Sequence, residues 1–206
     1  MINFKRTSKR IGQLLKEYDF HVTILAKAVA KVKYHYIDYD TRRSDASSSI
    51  RIKKRAERVF AYELYHQIRK QIDNKDGYYL NAEVYKNNKV FKSIDNVKSC
   101  YPDLILHGEP GEINEDTQYF LCEIKMHGNA ELTQDLGKLS KLISSKLGFK
   151  YYIFLCIGLT SNELQYKIIG QKDRQVYNGD ILCICRKEEN IEVFRLKEIM
   201  PEGRYK

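Results

Sequence analysis

Apolar residues recur every four positions over one long stretch in the first half of the chain. This spacing places them on one side of a helix and predicts a helix over residues 50–72, which the turn-forming segment 74–77 ends. Two earlier helices are predicted over residues 8–18 and 21–37, and a polar connector over residues 41–49. The residues that define the long helix are Ala56, Phe60, Leu64, Ile68 and Ile72.

Beyond the long helix the apolar period changes from four to two, which is typical of strands. Strands are predicted over residues 78–86, 101–107 and 118–126. An amphipathic helix follows over residues 131–147. The segment 151–159 is apolar throughout, which predicts a central strand that is buried on both faces.

The last quarter of the chain has a weaker alternation of apolar and polar positions. Three further strands are predicted there, over residues 164–169, 180–186 and 190–196, with a charged hairpin loop at residues 187–190. The order of helix, three strands, helix, strand and a strand-rich end predicts an α/β sandwich around a mixed sheet.

Composition and charge narrow the class of protein. The 206 residues are 43% hydrophobic and 31% charged, as in globular proteins, and no apolar run approaches the ~20 residues of a membrane span. The net charge is +9, and residues 1–58 carry all of that excess, with 15 basic against 6 acidic side chains. A basic pole on a neutral domain predicts a polyanionic partner, first of all nucleic acid. A solvated basic face without a partner is the alternative.

These patterns predict two parts, a basic helical extension over residues 1–48 and a domain over residues 49–206. The five cysteines include no C-x-x-C pair, and four of them lie in apolar, strand-like segments. Neither a zinc site nor a disulfide framework is indicated, and buried reduced thiols predict a cytoplasmic protein.

Two predicted strands carry charges where buried strands usually carry none. Asp103 precedes Leu104 in the second strand, and Glu123 and Lys125 share one face of the third. If these strands pair, the two carboxylates lie close together and repel each other unless a cation is present. Mg²⁺, or Mn²⁺ in its place, prefers such oxygen ligands and would relieve the repulsion.

The long helix carries two more carboxylates near its apolar side. On a helical wheel Glu57 projects between Phe60 and Ile68, whereas Glu63 lies at the edge of that face. A carboxylate on a buried face needs a partner, so Glu57 is the better candidate for a third metal ligand and Glu63 the reserve.

The segments "YPD" and "CEIKM" resemble the signature of the PD-(D/E)XK nuclease superfamily, also called restriction-endonuclease-like. The match places Pro102 and Asp103 on one strand and Glu123, Ile124 and Lys125 on the next, and it covers roughly residues 50–160. The resemblance implies a three-layer sandwich with a central mixed β-sheet flanked by helices. It also implies that Asp103, Glu123, Lys125 and Glu57 are catalytic, and that the metal is held by Asp103, Glu123 and Glu57.

The same resemblance implies hydrolysis of phosphodiester bonds in DNA to a 5′-phosphate and a 3′-hydroxyl. The segment "TQDLGKLSKL" resembles the polar helix start of many members, so accessory roles are expected for Gln134, Asp135 and Lys138. A string of this length also occurs by chance, and the charges would then be a strand-edge salt bridge.

Three hypotheses about function follow. The first is a metal-dependent DNA nuclease, the second a non-catalytic nucleic-acid-binding or assembly protein that retains the fold, and the third a homodimer or partner interface formed by the N-terminal helices. The predicted phosphate-binding residues are Arg42, Arg43, Arg51, Lys53, Lys54, Arg55 and Arg58.

Overall fold

The structure is a computed structural model of the chain. It describes residues 18–33, 36, 46–73, 77–82, 102–109, 116–126, 132–145, 147–170 and 176–206, with residues 46–56 described by their backbone alone. The described residues form one six-stranded sheet and five helices, an α/β architecture.

The strands follow one another across the sheet in chain order. The first three form an antiparallel meander, β3 and β4 are parallel, β4 and β5 are parallel, and β5 and β6 form an antiparallel hairpin. The sheet is therefore mixed, as the sequence predicts. The strands are β1 (Tyr79–Ala82), β2 (Leu104–His107), β3 (Gln118–Met126), β4 (Tyr151–Ile157), β5 (Leu182–Lys187) and β6 (Asn190–Arg195).

The helices lie in two layers because each strand alternates its side chains between the two faces of the sheet. Helices α1 (Phe20–Lys31) and α2 (Ala46–Ile72) pack in one apolar cluster with Cys122 and Ile124 of β3. On the other face, a second cluster joins Leu121 of β3 to the remaining helices. Those helices are α3 (Leu132–Ile143), α4 (Ser161–Ile169) and α5 (Leu196–Ile199). The arrangement is compatible with a three-layer sandwich.

Strand β3 spans the predicted residues, and β4 lies inside the sheet as its continuous apolar run predicts. Strands β1 and β2 begin later than expected, and residues 83–101 lie outside the described part of the chain. The predicted helix over residues 8–18 lies outside it as well. Among the described residues, no helix combines the length and apolar character that crossing a membrane requires.

The predicted strand over residues 164–169 is wrong, because these residues belong to α4. Thr160 caps this helix by accepting a hydrogen bond from the Glu163 backbone N–H, and the Glu163 side chain in turn accepts one from the Thr160 backbone N–H. Leu164 and Ile168, four positions apart, are the buried residues of α4. The capping box and this spacing outweigh the strand-like alternation.

The predicted polar connector over residues 41–49 is also wrong in its second half, since α2 begins at Ala46. That helix therefore crosses the predicted domain boundary between residues 48 and 49. Helix α1 is shorter than predicted and ends at Lys31. Its buried face belongs to the same core cluster as the sheet, so residues 20–31 pack as part of the sandwich.

One buried cation joins helix α1 to strand β5. Arg186, at the end of β5 and only 3% exposed, donates hydrogen bonds from its guanidinium to the backbone carbonyls of Val29 and Val32, the latter at 2.8 Å. These carbonyls belong to the last turn and C-cap of α1, where intrahelical donors run out. Arg186 thus caps α1 through a tertiary contact.

Replacing Arg186 by Met should destabilise the protein, because two carbonyls at the end of α1 would lose their donor. Each buried group left without a partner costs about 1–3 kcal/mol, so we expect a loss of about 2–6 kcal/mol in the free energy of unfolding. Urea denaturation followed by circular dichroism measures this. Arg69→Met is the matched control, since Arg69 forms a half-exposed surface pair with Asp73. Equal, small losses in both variants would contradict the capping role.

Candidate active site

The site lies where β2 and β3 run side by side. Leu104 pairs with Cys122 in antiparallel register, so Asp103, just before β2, lies beside the end of β3 that carries Glu123 and Lys125. Asp103 accepts a hydrogen bond at Oδ2 from the backbone N–H of Ile124, with a distance of 2.7 Å. The two halves of the predicted motif are therefore in direct contact.

Glu123 and Lys125 point to the same face of the sheet as Leu121, toward α3. Both are buried, with 5% and 6% of their surfaces exposed. Among the described residues, Glu123 Oε1 has no hydrogen-bond partner. An ionised carboxylate in such a place needs a compensating cation or donor.

Burial and crowding of like charges disfavour ionisation of both acids. Burial is the main reason that the pKa of Glu123 lies well above its usual range, and the charges of Asp103 and Asp135 raise it further. The pKa of Asp103 is raised to about 6, again chiefly by burial and also by Glu57 and Asp135. The hydrogen bond from Ile124 and the charge of Lys125 lower the pKa of Asp103 in part.

Helix α3 contributes a third carboxylate that touches Lys125. Asp135 is 5% exposed, and each of its oxygens has its own ammonium partner. Oδ2 lies 2.8 Å from Nζ of Lys125, and Oδ1 lies 2.7 Å from Nζ of Lys138. The resemblance implied an accessory role for Asp135, and the rule that singled out Glu57 in the sequence also indicates it, because Asp135 lies among the apolar positions of α3.

Glu57 reaches the same end of β3 from α2. Its Oε2 accepts a hydrogen bond from the backbone N–H of Met126 at 3.4 Å and lies 3.8 Å from Nζ of Lys125. The site therefore combines residues of α2, the start of β2, the end of β3 and the first turn of α3.

The other predicted residues lie away from this cluster or outside the described part of the chain. Glu63 accepts a hydrogen bond from Gln67 one turn further along α2, Gln134 is exposed on α3, and Arg58 is exposed on α2. Arg42 and Arg43 lie outside the described residues. The backbone of α2 includes four more predicted phosphate contacts whose side chains are not described: Arg51, Lys53, Lys54 and Arg55.

The donor set suits a cation that takes few protein ligands. In the described parts of the chain, no three Asp, Glu, His or Cys side chains form a metal-binding group, so Asp103, Glu123 and Glu57 are not assembled as one set of ligands. Asp103 and Glu123 remain as a neighbouring pair, with an unpartnered oxygen on Glu123. Mg²⁺ is commonly bound by one or two carboxylates, with water and phosphate completing the octahedron.

Comparison of the chain with family models, with curated proteins and with solved structures found no significant match.

Proposed function

We propose that the chain is a metal-dependent nuclease of the PD-(D/E)XK superfamily that hydrolyses phosphodiester bonds in DNA. The observation that carries this proposal is the contact between Asp103 and the Glu123-Ile124-Lys125 segment, beside a buried Glu123 oxygen without a partner. Two carboxylates that repel each other beside a buried lysine lower the stability of the fold. Clusters of ionisable groups of this kind are common at catalytic sites, where the reaction requires them.

The order of elements supports the same proposal. From Ala46 to Ile157 the chain runs helix, three antiparallel strands, helix and a fourth strand parallel to the third. This is the order that the resemblance implies around the motif. The restriction-endonuclease-like fold is proposed on this basis, together with the position of Asp103 directly before β2 and of Glu123 and Lys125 on β3.

In this proposal each side chain has a distinct role. Asp103 and Glu123 would hold Mg²⁺ or Mn²⁺, which supplies a Lewis acid for the phosphate and a water of lowered pKa. Lys125 would place its ammonium against the negative charge that grows on the phosphate oxygens. Glu57 accepts a hydrogen bond from the Met126 N–H and would hold the end of β3 in place. Its carboxylate would also partly neutralise the positive charge of Lys125.

A non-catalytic nucleic-acid-binding or assembly protein with the same fold is the second candidate. The observation that favours it is the pairing of Lys125 and Lys138 with Asp135, which neutralises buried charge without any substrate. The difference that decides between the two candidates is whether DNA is cleaved.

Metal binding gives the first test. We expect millimolar Mn²⁺ or Mg²⁺ to raise the melting temperature at pH 7.5, because a ligand that binds only the folded state stabilises it. The rise should shrink at pH 5, since Asp103, with its pKa of about 6, is then largely protonated and its protons compete with the metal. Differential scanning fluorimetry across this pH range measures both effects.

Asp103→Ala should abolish the metal-induced rise, whereas Asp180→Ala, an exposed carboxylate remote from the site, should retain it. Incubation of the parent with single-stranded and duplex DNA, with and without Mn²⁺, then tests cleavage. Metal stabilisation without cleavage would favour the non-catalytic candidate. No stabilisation and no cleavage would overturn the proposed metal site.

A further inference from the structure

We infer that Asp135 is a positioning residue that holds the ammonium of Lys125 for the reaction, with Lys138 fixing Asp135 in turn. The inference rests on the proposed nuclease function. It concerns a helix residue that lies outside the Asp103, Glu123 and Lys125 motif.

The geometry of Asp135 distinguishes it from the proposed metal ligands. Both of its oxygens are already within 2.8 Å of an ammonium, from Lys125 on one side and Lys138 on the other. A divalent cation at the same oxygens would meet two positive charges at short range, which is unfavourable at low dielectric. Asp135 is therefore suited to bind a lysine ammonium, whereas the Glu123 oxygen that lacks a partner among the described residues is suited to bind a divalent metal ion.

The location of Asp135 explains why a lysine needs such a partner. Lys125 has a flexible four-carbon side chain, and its surroundings include the charges of Asp103 and Glu123. Without Asp135 its ammonium would gain more by turning toward those two acids, where it would compete with the metal. Asp135, itself 5% exposed on a helix that packs on the sheet, keeps the ammonium at its own carboxylate and away from those two acids.

Lys138 completes the arrangement from the next turn of α3. Its side chain is 39% exposed, so its ammonium reaches solvent while it pairs with the buried Asp135. Because Lys138 occupies Oδ1, only Oδ2 is left to face Lys125. The second lysine thus restricts the carboxylate to one orientation.

A double-mutant cycle between Asp135 and Lys125 tests this role. We expect Asp135→Asn to lower kcat about 10- to 100-fold, the cost of misplacing one catalytic group, with KM for DNA changed less than about threefold. In a Lys125→Met background the same substitution should slow cleavage by less than about twofold, because its effect acts through Lys125. Single-turnover cleavage of all four proteins measures the cycle.

Two further variants guard against a simple folding defect. Lys138→Met keeps the Asp135 carboxylate, so we expect a smaller loss of kcat, about three- to tenfold, that also vanishes in the Lys125→Met background. Asp135→Glu restores the charge and should cleave faster than Asp135→Asn. If Asp135→Asn does not melt cooperatively, the double-mutant cycle between Lys138→Met and Lys125→Met tests the positioning role in its place.

A measurement without substrate gives a second readout. A lysine ammonium shielded from water exchanges its protons slowly enough for a ¹⁵N-resolved NMR signal, and Lys125 should give one in the metal-free parent. The signal should be absent from Lys125→Met, by which it is assigned. It should move to a different chemical shift in Asp135→Asn, because the ammonium turns toward Asp103 and Glu123, and stay unchanged in Lys197→Met. An unchanged signal in Asp135→Asn would overturn the inference.

The outcomes separate this inference from the proposed function. Suppose that the parent cleaves DNA. The positioning role would then be overturned if Asp135→Asn cleaves as fast as the parent, or if it slows cleavage by the same factor with Lys125 and with Met at position 125. Either result would leave the nuclease proposal intact. A parent that does not cleave would overturn both.

Discussion

Lys125→Met is expected to reduce DNA cleavage by ~10²-fold or more, the usual cost of removing one positioned electrostatic stabiliser. Met preserves most of the side-chain volume and removes only the charge. In the structure this ammonium lies 2.8 Å from Asp135 and 3.8 Å from Glu57, at the end of β3 beside Asp103. If it acts on the transition state, DNA binding and metal-induced stabilisation should largely remain.

The same substitution also has a structural cost that must be measured separately. Asp135 Oδ2 would lose a buried partner, so we expect the metal-free melting temperature to fall by a few degrees, with Lys138 still neutralising Oδ1. Melting, metal-induced stabilisation and single-turnover cleavage should be measured on one preparation. Lys197→Met is the matched control, because Lys197 is half exposed and pairs with Asp180 away from the site. A folded Lys125→Met protein that cleaves as fast as the parent would exclude the proposed mechanism.

The second large expected effect concerns the salt dependence of DNA binding. If the basic residues at the start of α2 contact phosphates, binding should weaken steeply with salt, since each contact releases counterions. We expect replacement of four of them by Gln to lower the slope of log K against log salt by up to about 3.6, at ~0.9 for each contact. The four residues are Arg51, Lys53, Lys54 and Arg55.

Fluorescence anisotropy with duplex and single-stranded DNA at several salt concentrations measures this slope. The control replaces four exposed lysines outside the first quarter of the chain, Lys141, Lys150, Lys197 and Lys206, by Gln. The same net charge is removed, so a general loss of positive charge would flatten both slopes equally. An unchanged slope in the first variant and a flatter one in the control would move the DNA surface away from α2.

The pattern of residues along the chain determined the elements that form the site. Alternation predicted β3 over residues 118–126, and the unbroken apolar run predicted that β4 is internal to the sheet. The charges of Asp103, Glu123 and Lys125 stood out because they interrupt these strands. Local pattern suffices here, since the faces of a strand are set by its own period of two.

Only the tertiary structure decided which charges meet. Asp135 pairs with Lys125 because α3 packs on the face of β3 that carries Glu123 and Lys125. The periodicity of apolar residues within either segment does not predict this contact between the two segments. Arg186 caps α1 across more than 150 residues of sequence, so the basic N-terminal helix belongs to the core. Contacts of this kind depend on how the helices pack on the two faces of the sheet. That packing is determined by the apolar surface buried in the whole domain and by the pairing of its charges, and not by any single segment.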